Sequence, residues 1–156
     1  MKCEGRRIVL KICIVSSCGG HLTEARCLKP AYERDEHFYV LDDKALLPDD
    51  MTERTYFVTH SERDWKVLIS VWEAFKILRA ERPQVILSTG AGIVVPFALV
   101  GRYIFGTRII FIETLTRVRK PSLTGRIMYR LAHDFFYQWE SLREYFPKGT
   151  YGGLVL

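Results

Sequence analysis

Residues 9–24 read VLKICIVSSCGGHLTE, and the fold turns on how this stretch is read. Ile8 to Val15 is rich in β-branched residues and almost continuously apolar, as a strand buried on both faces of a parallel sheet must be. Ser16 to Gly20 breaks the run with small residues. Leu22 to Pro30 then reads as a short helix, with Thr23, Glu24 and Arg26 among its polar positions. A strand, a small-residue turn and a helix make the first βα unit.

The same alternation continues outward. His37–Leu41 and Arg54–Thr59 read as strands, separated by a polar, turn-rich segment from Asp42 to Thr52. Asp64–Arg82 carries Trp65, Leu68, Ile69, Trp72 and Phe75 at helical spacing and is stopped by Pro83. Val85–Leu87 is a short buried strand ending in Ser88-Thr89-Gly90-Ala91-Gly92. Ile93–Phe105 follows as a very apolar helix, with Pro96 tolerable in its first turn. Arg108–Ile112 is a strand ending at Glu113, Ser122–Ala132 a helix, Asp134–Gln138 a strand, Leu142–Phe146 a helical turn and Tyr151–Leu156 a terminal strand. The order predicts an α/β fold, a Rossmann-like parallel sheet with helices on both faces, in a single domain spanning 1–156.

Bulk properties narrow the partners. The chain has 156 residues and a net charge of +5, which points to an anionic partner. Cys3, Cys13, Cys18 and Cys27 form no Cys-x-x-Cys pair, so they read as free thiols in a reducing compartment and no metal site is expected. Met1–Arg7 is polar and does not open a signal peptide. The longest apolar run, Ile93–Phe105, falls short of the ~20 residues of a spanning helix. A cytoplasmic protein, peripheral on the cytoplasmic face of a membrane, is the expectation.

In a parallel sheet, ligands bind at the carboxyl ends of the strands. Three such ends carry unusual residues: Ser16–His21, Ser88–Gly92 and Glu113–Arg117. Gly19, Gly20, Gly90 and Gly92 let backbone approach a ligand, and the helix following Gly20 offers free N–H groups to an anion. Neither turn is a Rossmann fingerprint or a P-loop. His21 is placed as a general base on a hydroxyl or as a donor to phosphate, and equally as a helix-start His bonded to a nearby carbonyl. Glu113 reads as a carboxylate in the crevice or as a partner for Arg117 or Arg119. Ser88 and Thr89 read most simply as turn residues capping the next helix.

From Thr114 to His133 there is no acidic residue, while Arg117, Arg119, Lys120, Arg126 and Arg130 are all present. This basic segment and the apolar Ile93–Phe105 together suit an anionic membrane surface or a lipid pyrophosphate, although Ile93–Phe105 reads equally well as a core helix. Phe135, Phe136, Tyr137 and Trp139 are not spaced as a stacking platform, so no nucleic-acid partner is expected.

Five ordered motifs carry a family resemblance: Ser17-Cys18-Gly19-Gly20-His21, Ser88–Gly92, Glu113-Thr114 with Arg117, Gln138-Trp139 and Tyr151-Gly152-Gly153. Over Ile8–Leu156 the chain resembles the acceptor-side subunit of two-component UDP-sugar transferases, the PssD-type and Alg-fourteen-type proteins. Its Gly-Gly-His turn resembles that of MurG-type transferases. The resemblance implies the amino-terminal half of a GT-B transferase. A separate Alg-thirteen/PssE-like chain would bind the donor, and a lipid-linked acceptor and a membrane surface would be the further partners. It implies inverting transfer from a UDP-sugar to a lipid-pyrophosphate-linked acceptor in exopolysaccharide or oligosaccharide biosynthesis, with no cofactor beyond the donor. His21 would be the general base or phosphate contact and Glu113 the alternative base. Ser17, Gly19, Gly20, Thr89, Gly90, Gly92 and Arg117 would bind acceptor and phosphate. The alternative reading is a non-catalytic subunit that recruits and activates its partner at the membrane.

Overall fold

The computed structural model describes residues 8–42, 53–59 and 66–155. Cys3, the connection 43–52, the helix-start residues Asp64 and Trp65, and Leu156 lie outside the described residues. The elements are β1 (Lys11–Ser16), α1 (Gly20–Cys27), α2 (Lys29–Tyr32), β2 (Glu36–Asp42), β3 (Thr55–Val58), α3 (Lys66–Glu81), β4 (Val85–Ser88), α4 (Val94–Val100), β5 (Arg108–Ile112), α5 (Leu123–Leu131), β6 (Asp134–Tyr137) and β7 (Thr150–Tyr151).

All strands pair in parallel, in the order β3-β2-β1-β4-β5-β6-β7. The strand period of two divides the apolar residues between two cores. Cys13, Val15, Phe38, Val40, Ile86, Ile109, Phe111, Phe135 and Tyr137 face one side, where Ala74, Leu78, Val94, Phe97, Met128 and Leu131 of α3, α4 and α5 cover them. Ile12, Ile14, Tyr39, Leu41, Val85, Leu87 and Ile112 face the other, under Leu22, Ala25 and Tyr32 of α1 and α2. Burial on both faces is why these strands read as continuous apolar runs.

The chain order reverses between β1 and β4. That reversal opens a crevice at their carboxyl ends, the place where doubly wound sheets bind ligands.

Several boundaries differ from the sequence expectation. β1 begins at Lys11, where pairing with Glu36 starts; Ile8 is 79% exposed, and the Leu10 amide donates to the Asp35 side chain at 3.2 Å. The helix expected over Leu22–Pro30 starts earlier, at Gly20, and divides after Cys27, with Pro30 in the first turn of α2. Pro has no N–H to continue the ladder, so it starts a helix instead.

The apolar run Ile93–Phe105 is mainly a core helix, with Ile93, Val94, Phe97, Ala98 and Val100 buried. It does not stay α-helical: Gly101–Phe105 forms a π turn closed by the Thr107 amide on Gly101 O at 2.8 Å. The turn expected at Leu142–Phe146 is a 3₁₀ turn at Glu140–Leu142, followed by a Phe146 amide bond to Leu142 O of 3.1 Å. The terminal strand is short: after Tyr151 the chain leaves the sheet, and the Val155 amide donates to Gln138 Oε1 at 2.8 Å.

Candidate functional site

The β4 end is bent and braced. Gly90 has φ 135° and Ala91 φ 77°, a conformation that costs a non-glycine residue and concentrates at functional loops. Ser88 holds the bend from below: its hydroxyl donates to Gly90 O at 2.8 Å and lies 3.3 Å from the Gly90 amide. This loop and the start of α1 are stitched together across β1 and β4.

The stitching defines His21. Its Nδ1 lies 3.2 Å from Thr89 O, and its own carbonyl accepts the Thr89 hydroxyl at 2.8 Å. A carbonyl only accepts, so Nδ1 carries the proton in this hydrogen bond. In the neutral ring Nε2 is then the acceptor, which is how an imidazole is oriented for proton uptake. The expected bond to a nearby carbonyl is therefore present and compatible with a basic Nε2.

His21, Gly90, Gly92 and Arg117 line one open cleft of about 270 Å³, with Thr114, Thr116 and Ser122. Three strand ends meet there. Other predicted residues lie elsewhere. Gly19 and Gly20 are exposed, Ser17 is half-buried, and none of the three lines this cleft. Thr89 is buried and acts on the cleft only through His21. Among the described residues no cluster of metal ligands is present.

Glu113 is 0% exposed, beneath the cleft wall. It forms no ion pair with Arg117 or Arg119 among the described residues. Its Oε1 lies 3.3 Å from the Thr114 amide, Oε2 has no hydrogen-bond partner among the described residues, and a Cβ at Gly125 would stand 1.6 Å from Oε2. The carboxyl is wedged under the first turn of α5, whose Ser122 cap accepts the Gly125 amide at 2.7 Å. Burial pushes its pKa up; Ser122, the Thr114 amide and Arg117 oppose this without cancelling it.

The sequence pattern marks Glu24 only as one polar residue of a short helix. It is 5% exposed. Oε1 accepts the Thr114 hydroxyl at 2.8 Å and the Leu115 amide at 3.1 Å, and Oε2 accepts Gln138 Nε2 at 3.2 Å. Its signal was positional: a carboxylate one helical turn after His21, between the core residues Leu22 and Ala25.

A profile of the family described as "Oligosaccharide biosynthesis protein Alg14 like" matches residues 53–155. The chain belongs to the Alg14-like oligosaccharide biosynthesis family. It is similar to the UDP-N-acetylglucosamine transferase subunit ALG14 of Rattus norvegicus, 29% identical over 182 residues, covering 94% of this chain and 83% of that protein. The human subunit of the same name is 27% identical over 183 residues, with the same coverage of each.

The Alg14-like chain has the α/β fold of MurG-like GT-B domains. It superposes on MurG of Acinetobacter baumannii with a TM-score of 0.73 at 13% identity, covering 85% of this chain and 42% of MurG. The UDP-GlcNAc 2-epimerase of Methanocaldococcus jannaschii gives 0.69 at 14% identity, over 89% and 42%. The chain thus spans less than half the length of these solved structures.

Proposed function

We propose that this Alg14-like chain is the acceptor-side half of a two-chain, inverting UDP-sugar transferase. It acts on a lipid-pyrophosphate-linked acceptor and pairs with a separate donor-binding chain. The sugar named for its relatives is N-acetylglucosamine. The observation that carries the reading is His21: an imidazole with Nδ1–H fixed on Thr89 O, in a cleft shared with Arg117 and Ser122.

In this reading the acceptor hydroxyl meets His21 Nε2, which takes its proton as the oxygen attacks the anomeric carbon and UDP leaves. Arg117, exposed on the rim, neutralises acceptor phosphate. Glu113 is the second candidate base; its burial favours a supporting role beneath Ser122 and Arg117. No cofactor beyond the donor is required.

Membrane contact belongs to the same reading. Leu68, Trp72, Leu99, Tyr103 and Ile104 are exposed large apolar residues on α3, α4 and the π turn. Lys76 stands 5.3 Å over the Trp72 ring and Arg102 stands 5.8 Å over Tyr103. Apolar rings with cations beside them suit an anionic bilayer surface. Among the described residues no helix is long and apolar enough to cross a membrane. That surface also fits the alternative, a recruiting subunit whose partner does all the chemistry.

The test is co-expression with the donor-binding chain, followed by UDP release with a membrane lipid acceptor. Turnover only with both chains present, lost in His21→Ala but retained in Cys27→Ser, is the expected result. Full turnover by both His21→Ala and Glu113→Ala overturns the catalytic assignment and leaves recruitment, whereas full turnover by His21→Ala alone makes Glu113 the base. Transfer by this chain alone overturns the two-chain reading.

A further inference from the structure

Glu24 is a buried carboxylate with no cation against it among the described residues. It forms no ion pair among the described residues, and its charge is satisfied by the three hydrogen bonds from Thr114, Leu115 and Gln138. Burying a carboxylate is costly unless its donors are already in place. With its donors in place a carboxylate makes stronger hydrogen bonds than a neutral acceptor, which suits it to the purpose of holding a loop in one position.

The donors define that purpose. Leu115 is clamped on both sides of its residue: its amide donates to Glu24, and its carbonyl accepts Trp139 Nε1 at 2.7 Å. Thr116 and Arg117 follow directly, and the Arg117 amide closes a turn on Thr114 O at 3.1 Å. Gln138 extends the tie, donating from Nε2 to Glu113 O at 3.0 Å and accepting the Val155 amide. One carboxylate on α1 is therefore bonded to the segment that carries the cleft residues Thr114, Thr116 and Arg117. His21, which lines the same cleft, stands on that helix three residues earlier.

We propose that Glu24 is a positioning residue, holding the Thr114–Arg117 wall in register with the helix that presents His21. The tie itself stands on geometry; what the register serves rests on the transfer reading above. A fixed separation between imidazole and guanidinium sets where a phosphate-bearing acceptor places its hydroxyl, and small misplacements of reacting groups are expensive in rate.

Glu24→Gln is the informative substitution because it keeps shape and removes one acceptor. Its amide nitrogen then faces Gln138 Nε2, donor against donor. The expected results, in the two-chain complex, are amide exchange at Leu115 and Arg117 faster by about tenfold, with β1 and β4 protection unchanged. Turnover falls about 10²-fold with no shift in either limb of the pH profile. Thr114→Val, which removes one hydrogen bond, moves exchange the same way by less and serves if Glu24→Gln folds poorly.

Unchanged exchange at Leu115 and Arg117 overturns the tie. Faster exchange with unchanged turnover overturns positioning, and a moved pH limb makes Glu24 a titrating catalytic group instead. If the unsubstituted pair transfers no sugar, the transfer reading fails by itself, while exchange still decides whether Glu24 holds the wall.

Discussion

The imidazole of His21 lies so close to the backbone of Gly90 that a Cβ at position 90 would stand 2.4 Å from both Nδ1 and Cε1. Gly90 also has φ 135°, which a side chain rarely adopts. The loop and the ring thus fit only as a pair. Gly90→Ala is expected to displace the ring and lower turnover by about 10²-fold, while destabilising the chain by about 1–3 kcal/mol. Turnover and urea unfolding measured on one preparation check both; full turnover in this variant means the contact does not place His21.

Gly125 stands in the same relation to Glu113. A methyl there meets Oε2 at 1.6 Å, so Gly125→Ala must lift α5 or expel the carboxyl. The expected cost is about 2–4 kcal/mol by denaturant unfolding. Combined with Glu113→Ala, the penalty should be less than the sum of the two, because the second change makes room for the first.

Glu113 also gives a pH signature. Its folded-state pKa is raised above the ordinary 4.5, burial being the largest cause. Below the unfolded value both states are protonated; as pH rises past it, the unfolded chain ionises first and stability drains away until the folded carboxyl ionises too. Relative to the parent, Glu113→Gln should therefore gain stability as pH is raised from about 4. A stability difference flat in pH, measured by urea unfolding at several pH values, would contradict the burial argument.

Membrane contact is testable apart from chemistry. Trp72→Glu with Ile104→Glu should abolish co-flotation with vesicles containing anionic phospholipid and leave the circular dichroism spectrum unchanged, because both side chains are exposed. Retained flotation in the double variant, with the parent floating normally, removes this surface from the membrane reading.

Much of this was legible in the sequence. Strands buried on both faces announce themselves, since Ile12 to Val15 and Ile109 to Ile112 leave little choice of environment. The small-residue turns at Gly19-Gly20 and Gly90–Gly92 marked two strand ends, and Glu113 marked a third. What stayed hidden depends on packing across the sheet. Locally, only its place between Leu22 and Ala25 sets Glu24 apart from a surface glutamate, and its partners lie 90, 91 and 114 residues away. Nor does the run Ile93–Phe105 reveal that its last turn widens to a π turn, or that Leu99, Tyr103 and Ile104 alone of its large residues face outward. Glu113 and Gly125 are 12 residues apart in the chain; only the seating of α5 on β5 shows that one is wedged beneath the other.

The β1–β4 pairing has a kinetic consequence. Ile12 meets Val85 there, while on its other side it meets His37. The nearer pairing closes a short loop; the farther closes one nearly three times as long, and loop closure precedes any reward from contact. The His21–Gly90 contact lies just beyond the β1–β4 seam, so it can form only once the chain's two halves have come together. Ring-shift signals from His21 are consequently expected to appear only after β1 and β4 have paired, making the imidazole a built-in reporter of that long-range closure.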